Sequence, residues 1–290
     1  MRGLVVKGIG GFYFVKTEDG VYRAKGRGLF KKSKNTLMVG DEVELNISKD
    51  GESDSLIEKI YPRKNHFIRP AIANVDQIIV VTALSEPAPS FEIIDKMLVN
   101  AEMNLIKPML CITKPDLDKK GLLEQILSTY KPMYRCFVVN GRTGEGVDEL
   151  KASLKDNKTA LMGPSGVGKS TITNLISPCA LMETGDISDK TRRGKHTTRH
   201  IEIFSCQGGY IYDTPGFTSL YTEGVEEARL SSLFPEFVDK SRGCRFDNCR
   251  HINEPECEIK SAVESGEIAR TRYTSYLSMI DEIKRNKRFN

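Results

Sequence analysis

The sequence predicts an α/β protein. A mostly parallel sheet carries helices on both faces, an all-β barrel precedes it, and a partly helical module with a Cys/His cluster follows. Three observations carry this. Residues 1–62 are short alternating apolar–polar runs between turn residues. From about residue 70, continuous apolar runs alternate with helical periodicity. Near the C-terminus, three cysteines and a histidine crowd into one polar stretch.

The 290 residues suit two or three domains, and the 39% hydrophobic and 28% charged fractions are those of a globular chain. No apolar run has the length of a membrane span, and the opening MRGLVVKGIGGFYF reads as a hairpin, not a leader. Seven cysteines, an odd number, argue for a reducing compartment and against a disulfide framework. A cytoplasmic monomer without a membrane partner is therefore expected. The net charge of +4 is modest but unevenly spread. Six basic residues and no acid lie between Arg23 and Lys34, and Lys284, Arg285, Lys287 and Arg288 end the chain. Two such runs point toward RNA.

Residues 4–8, 12–16, 21–25, 42–47 and 56–60 read as strands, divided by Gly10-Gly11, Glu18-Asp19-Gly20 and Lys49-Asp50-Gly51. Five strands in so short a stretch suit an OB-fold barrel. Pro62-Arg63-Lys64-Asn65 reads as a linker. Residues 77–83 form a buried strand, and Ser90 caps a helix with Phe91, Ile94, Leu98 and Ala101 on one face. Strands at 109–113, 136–139 and 159–162 alternate with helices at 122–130 and 147–154. Residues 201–205 and 210–213, joined across Gly208-Gly209, read as a hairpin at the sheet edge.

Gly163-Pro164-Ser165-Gly166-Val167-Gly168-Lys169-Ser170 matches the phosphate-loop pattern, with an apolar strand before it and a helix after it. Its backbone N–H groups and the helix N-terminus suit phosphate, and Thr171 continues the binding segment. Lys169 is expected to reach the β- and γ-phosphates and the Ser170 hydroxyl to ligate Mg²⁺. Asp213-Thr214-Pro215-Gly216 follows a strand, which suits a carboxylate holding Mg²⁺ through water and a Gly216 N–H on the γ-phosphate. Residues 184–199 carry almost no large apolar side chains and are expected to be mobile without ligand. Thr198, or else Thr197, is expected to complete the Mg²⁺ site from that segment.

Thr113-Lys114-Pro115-Asp116 ends a strand. A carboxylate there can accept from guanine N1–H and the 2-amino group together, a donor pair that adenine lacks. Val139-Asn140-Gly141 is expected to offer backbone N–H groups to the guanine oxygen. All these loops follow strands of one sheet, at whose carboxyl ends ligands bind. The base motif comes before the phosphate loop, so the chain reads as a circular permutation of the usual GTPase order. A nucleotide site depends only on positions in space, and permutation is tolerated where the old termini lay close.

Cys244, Cys249, His251 and Cys257 form Cys-x₄-Cys-x-His-x₅-Cys. Three thiolates and an imidazole make a full tetrahedral Zn²⁺ set, which leaves a structural role. No Cys-x-x-Cys pair supports redox chemistry. Cys111, Cys136, Cys179 and Cys206 sit in apolar or strand-like contexts and read as core thiols.

The combination resembles the RsgA family, small-subunit-dependent GTPases, over essentially the whole chain. The resemblance rests on the early Thr-Lys-Pro-Asp, the phosphate loop, Gly194-Lys195-His196-Thr197-Thr198-Arg199, Asp-Thr-Pro-Gly and the Cys/His spacing. Gly26-Arg27-Gly28-Leu29-Phe30 and Val39-Gly40-Asp41 extend it to the N-terminus. It implies an OB-fold RNA-binding domain (1–62), a permuted GTPase domain (63–222) and a zinc domain with a C-terminal helix (223–290). It further implies a GTP/GDP switch in late maturation of the small (30S) ribosomal subunit, bound to rRNA and stimulated by that subunit. Thr113 stands where most GTPases carry Asn, which shortens the reach toward the base. Phe217 stands where Ras-like enzymes carry a water-orienting Gln, so slow intrinsic turnover is expected. Resemblance and chemistry both point to His196 for that task, beside Lys169 and Thr198 in catalysis. A P-loop ATPase would leave Asp116 without purpose. An RNA-binding module with a merely structural nucleotide would show no response to ribosomal subunits.

Overall fold

The computed structural model describes residues 1–28, 36–47, 54–67, 70–177, 201–214 and 224–289. Five strands close the N-terminal barrel: β1 (Arg2–Ile9), β2 (Phe12–Lys16), β3 (Val21–Gly26), β4 (Glu42–Asn46) and β5 (Ser55–Ile60). Pairing runs β1-β2-β3-β5-β4 and returns to β1, antiparallel except for β3 with β5. Alternating residues Val5, Val15, Ala24, Val43, Leu45 and Ile57 fill the interior, as the period of two requires.

Beyond the linker comes a short hairpin that the sequence reading did not anticipate, β6 (His66–Phe67) with β7 (Ile72–Ala73). Strands β8 (Gln77–Ala83), β9 (Lys107–Thr113), β10 (Arg135–Val139), β11 (Lys158–Met162) and β13 (Gly209–Asp213) are parallel. β12 (Glu202–Cys206) runs antiparallel to β13. The order is β10-β9-β8-β11-β13-β12. Every residue of β8 is buried, because it lies between two strands and under helices on both faces.

One face packs against α1 (Phe91–Met103) and α2 (Leu122–Tyr130), through Ile94, Leu98, Ala101, Ile126 and Tyr130. Ser90 caps α1, its hydroxyl accepting from the Ile93 N–H at 3.4 Å. The other face packs against α3 (Val147–Ala152) and α4 (Lys169–Ile176), through Leu150, Ile172 and Ile176. α3 stops two residues short of the expected helix.

The β12–β13 hairpin does not form the edge of the whole sheet. β1 pairs with β12 at Lys7↔Glu202, so barrel and GTPase strands make one 11-stranded sheet. Lys7 Nζ donates to both Glu202 carboxylate oxygens at 2.9 Å, and Lys16 Nζ donates to Ser205 Oγ at 2.7 Å. Gly40 seats the barrel on the hairpin pair. Its φ is +96°, and a Cβ there would lie 2.2 Å from Ala73 O and 2.6 Å from the Tyr212 hydroxyl. Around it, the Asn74 amide donates to Gly40 O at 2.9 Å and Tyr212 OH donates to Ala73 O at 2.9 Å. Arg63 pairs with the buried Asp41 at 2.7 Å.

The C-terminal module holds the 3₁₀ turns Glu227–Leu233 and Ser241–Gly243, α5 (Pro235–Lys240), α6 (Glu258–Ser265) and α7 (Arg270–Phe289). Leu230, Phe234, Phe237, Ile259, Tyr276 and Met279 form its core, which Val99 of α1 joins. A buried charge fastens it to the GTPase unit. Arg272, 1% exposed, donates to Asp95 of α1 at 2.6 Å and to both oxygens of Glu236 at 2.6 and 3.0 Å.

Candidate functional site: a cleft at the carboxyl ends of the parallel strands

The phosphate loop links β11 to α4, and Gly163 turns the chain away from β8. Its φ is +155°, and a Cβ there would stand 2.3 Å from Val81 O, so any side chain would push the loop out. The Lys169 ammonium, 6% exposed, donates to Gly163 O and Pro164 O at 2.8 Å each. Burial pulls its pKa down to about 8, while the Asp213 charge works in the opposite direction. Lys169 therefore rests on its own loop, and Asp213, buried at the end of β13, stands near enough to act on it. Thr214 donates to Leu161 O at 2.6 Å, which ties the Asp-Thr-Pro-Gly start to β11. Ser170 is half-buried in the first turn of α4, and Thr171 beside it is exposed. Pro215, Gly216, Phe217, His196, Thr197, Thr198 and Cys179 lie outside the described residues.

The base motif meets this loop directly. Thr113, 4% exposed, donates its hydroxyl to Val167 O at 2.6 Å and to Thr82 O at 3.2 Å. The Thr113 hydroxyl fixes the two motifs to each other. Lys114, with φ +56°, runs its stem along the loop and donates to Gly166 O at 3.0 Å and to Glu86 O. Pro115–Leu117 forms a 3₁₀ turn that holds Asp116 at the mouth of a cavity of about 250 Å³. Opposite stands the loop after β10. The Asn140 N–H donates to Glu145 O at 3.0 Å, and Asn140 Oδ1 accepts from Arg142 N at 2.9 Å and Thr143 N at 3.4 Å. Asn140 spends its own N–H and Oδ1 on its loop, while Val139, Asn140 and Gly141 all line the cavity. Gly141 lines the cavity, where an added Cβ would meet Thr171 Cγ2 at 3.0 Å.

Arg142, which sequence reasoning passed over, reaches Asp116 with Nη1–Oδ2 at 3.7 Å. Its place two residues after a strand-end Asn was the only available signal. A larger open groove of about 740 Å³ runs along α2 beside Leu123 and Leu127. It lacks the converging strand ends, so the chemistry belongs to the smaller cleft.

The second centre is in the C-terminal module. One donor atom each from Cys244, Cys249, His251 and Cys257 lies within 4.8 Å of the others. His251 Nδ1 is 3.7 Å from Cys244 Sγ and 3.4 Å from Cys257 Sγ, and those sulfurs are 4.0 Å apart. A tetrahedral zinc with bonds of roughly 2.0–2.3 Å needs donors roughly 3.5–3.8 Å apart, so the set fits Zn²⁺. α7 holds the loop from behind: Tyr273 OH donates to His251 O at 2.7 Å and Tyr276 OH to Arg250 O at 2.8 Å. Among the other cysteines, Cys111 and Cys206 are buried as expected, and Cys136 is half-buried, its thiol pushed up to about 11 by burial.

Comparison with known proteins agrees with this layout. The model of the RsgA GTPase family matches residues 60–223, and that of the RsgA N-terminal domain matches residues 2–54. The small ribosomal subunit biogenesis GTPase RsgA of Caldanaerobacter subterraneus is 42% identical, over 99% of this chain and 97% of that protein. Its counterpart from Alkaliphilus metalliredigens is 40% identical over 99% of each. Among solved structures, YjeQ from Thermotoga maritima superposes with a TM-score of 0.78 at 36% identity, over 97% of both chains. YloQ, described as a circularly permuted GTPase, superposes with a TM-score of 0.77 at 34% identity, over 98% of this chain and 95% of that one.

Proposed function

The chain belongs to the RsgA family of GTPases, and from that premise we propose a GTP-hydrolysing switch in late maturation of the small (30S) ribosomal subunit. The observation that carries the reading is the Thr113–Val167 hydrogen bond at 2.6 Å. It joins a base motif and a phosphate loop that the chain presents in reversed order, so one ligand can span both.

In this reading the backbone of residues 163–168 and Lys169 cradle the phosphates. Lys169 trades the carbonyls of Gly163 and Pro164 for phosphate oxygens, which favour its charged form. Ser170, Asp213 and Thr198, or else Thr197, would hold Mg²⁺. The bound ion would supply charge neutralisation of the β- and γ-phosphates. Asp116 accepts from N1–H and the 2-amino group of guanine, the Lys114 stem lies along the base, and the Gly141 N–H faces the guanine oxygen. His196 orients the attacking water in the presence of the partner, since Phe217 cannot. Gly216 senses the γ-phosphate.

The proposed division of labour follows the chain: residues 1–62 bind rRNA, 63–222 hydrolyse GTP, and 223–290 form a zinc-stapled platform. Binding through basic side chains should weaken with salt, by roughly 0.7–0.9 log units per log unit of salt for each phosphate contact. No helix among the described residues is long and apolar enough to cross a membrane, and the cytoplasm is the proposed compartment.

The test is GTP and ATP hydrolysis with and without purified small ribosomal subunits. Stimulation confined to GTP and lost in His196→Ala is expected; equal use of ATP, or no stimulation, refutes the switch. Asp116→Asn should move preference from GTP toward XTP, because a carbonyl-and-amine edge suits xanthine.

A further inference from the structure

The barrel meets the GTPase sheet beside the nucleotide cleft, and both of its contacts bear on the last two residues of β13. In one, β1 reaches β12 at Lys7↔Glu202, and Glu202 stands opposite Asp213 in the β12–β13 register. In the other, the barrel segment before β4 enters the core of the sheet, where Val39 belongs to the same apolar cluster as Ile72 and Tyr212. The Ala73 N–H donates to Val39 O at 2.9 Å, the Gly40 N–H donates to Val5 O at 2.8 Å, and the Asn74 amide donates to Gly40 O at 2.9 Å. The Tyr212 hydroxyl joins this set by donating to Ala73 O at 2.9 Å. Val39, Ala73, Asn74 and Tyr212 are all buried.

Side chains alternate across a strand, so Tyr212 and Asp213 point to opposite faces. Tyr212 packs in the core beneath α1 and α2. Asp213 faces the phosphate-loop side, near enough to Lys169 to act on its charge. Their Cα atoms are held about 3.8 Å apart by a planar peptide, so a tether on one sets the place of the other. The two barrel contacts differ in stiffness. The Lys7–Glu202 ion pair is partly exposed, and such pairs are weak and yielding. The contact at Gly40 has no slack, because a Cβ there would lie 2.6 Å from the Tyr212 hydroxyl, and close-packed interiors transmit displacement. We propose that Tyr212 is a positioning residue for Asp213, through which RNA on the barrel alters nucleotide binding in the cleft. RNA moves the Gly40 segment, the Tyr212 hydroxyl carries that shift to β13, and Asp213 moves relative to Lys169. By linkage, nucleotide in the cleft changes the affinity of the barrel for RNA by the same factor. The inference rests on the reading of residues 1–62 as the rRNA-binding unit and of the cleft as the nucleotide site.

The test is the affinity of the full chain for a fluorescent, non-hydrolysable GTP analogue, titrated with and without saturating small ribosomal subunits. The ratio of the two affinities measures the coupling, and a uniform loss of stability does not move it. Tyr212→Phe keeps the ring and removes the tether. It should bring the ratio about three- to tenfold closer to one, the worth of a single hydrogen bond, while the free chain keeps its wild-type affinity. Gly40→Ala, which presses on the same hydroxyl from the barrel side, should lower the ratio as well. Lys7→Gln, at the yielding contact, should leave it near the wild-type value. A Tyr212→Phe chain with a lower Tm and an unchanged ratio would show a structural role only and overturn the proposal. So would a Lys7→Gln chain that loses more coupling than Tyr212→Phe. Subunits that leave the affinity of the wild-type chain unchanged would sink the functional reading itself, whereas wild-type coupling retained in Tyr212→Phe sinks only the role of Tyr212.

Discussion

Single residues decide where this protein tolerates charge. Arg272 is buried among Phe234, Tyr130 and Tyr134, with its guanidinium 4.5 Å from the Phe234 ring centre. Burial opposes its charge, but Asp95 and Glu236 outweigh burial and keep it protonated. Replacing it by Met would strand two carboxylates in the interior, at a cost of about 3–5 kcal/mol. Urea titration should show that loss, and adding Asp95→Asn should recover a substantial part of it. A double variant no more stable than the single one would mean that lost packing dominates. Thr113 makes the opposite point: its hydroxyl carries no charge, yet it sets the distance between base motif and phosphate loop.

At the scale of elements, the Cys/His loop and α7 depend on one another unequally. The loop has few apolar residues of its own and takes its shape from four donor atoms and two tyrosine hydroxyls of α7. α7 in turn packs Tyr276, Met279, Ile280 and Ile283 into an apolar core that Cys257 also joins, and that core is expected to persist without metal. A strong chelator, or Cys257→Ser, should therefore reduce bound metal from stoichiometric to trace. Hydrogen exchange should then rise over residues 244–257 while α7 stays protected. Collapse of α7 protection together with the loop would show that the metal holds the entire module.

Across the whole molecule, the barrel and the GTPase sheet meet at two unequal seams. The strand seam is a single pair with the ion pair Lys7–Glu202, whose side chains are 27% and 28% exposed. The second seam is the buried contact of Gly40 with Ala73 and Tyr212, backed by Asp41–Arg63. Lys7→Glu should cost about 1 kcal/mol, a shift of about 2–4 °C in Tm. Gly40→Val should cost several times more, because its positive φ and two close contacts leave a side chain no room. Calorimetry and limited proteolysis at residues 62–65 would read both; equal effects would contradict this ranking. Tyr212 precedes Asp213 on β13, so the buried seam bears on the strand that ends in the nucleotide cleft.

The sequence alone determined the strand–helix alternation, the permuted order of the motifs and the Cys/His cluster. Each of these is a local pattern: periodicity follows from backbone geometry, and a phosphate loop or a Cys/His set is written within a few residues. The central strand β8 and helix α2 could be bounded because buried runs and turn residues stand next to each other in the chain. Only tertiary structure decided what depends on distant residues. The basic run at Arg23, Lys25 and Arg27 looks unopposed in sequence, yet Asp54 pairs with the first two and Glu58, on β5, with the third. The β12–β13 hairpin looked like an edge until β1 closed on it. The pairings of Arg272 with Asp95 and of Gly40 with Tyr212 gave no signal, because residues so far apart in the chain meet only when the fold brings them together, and no periodicity encodes that meeting.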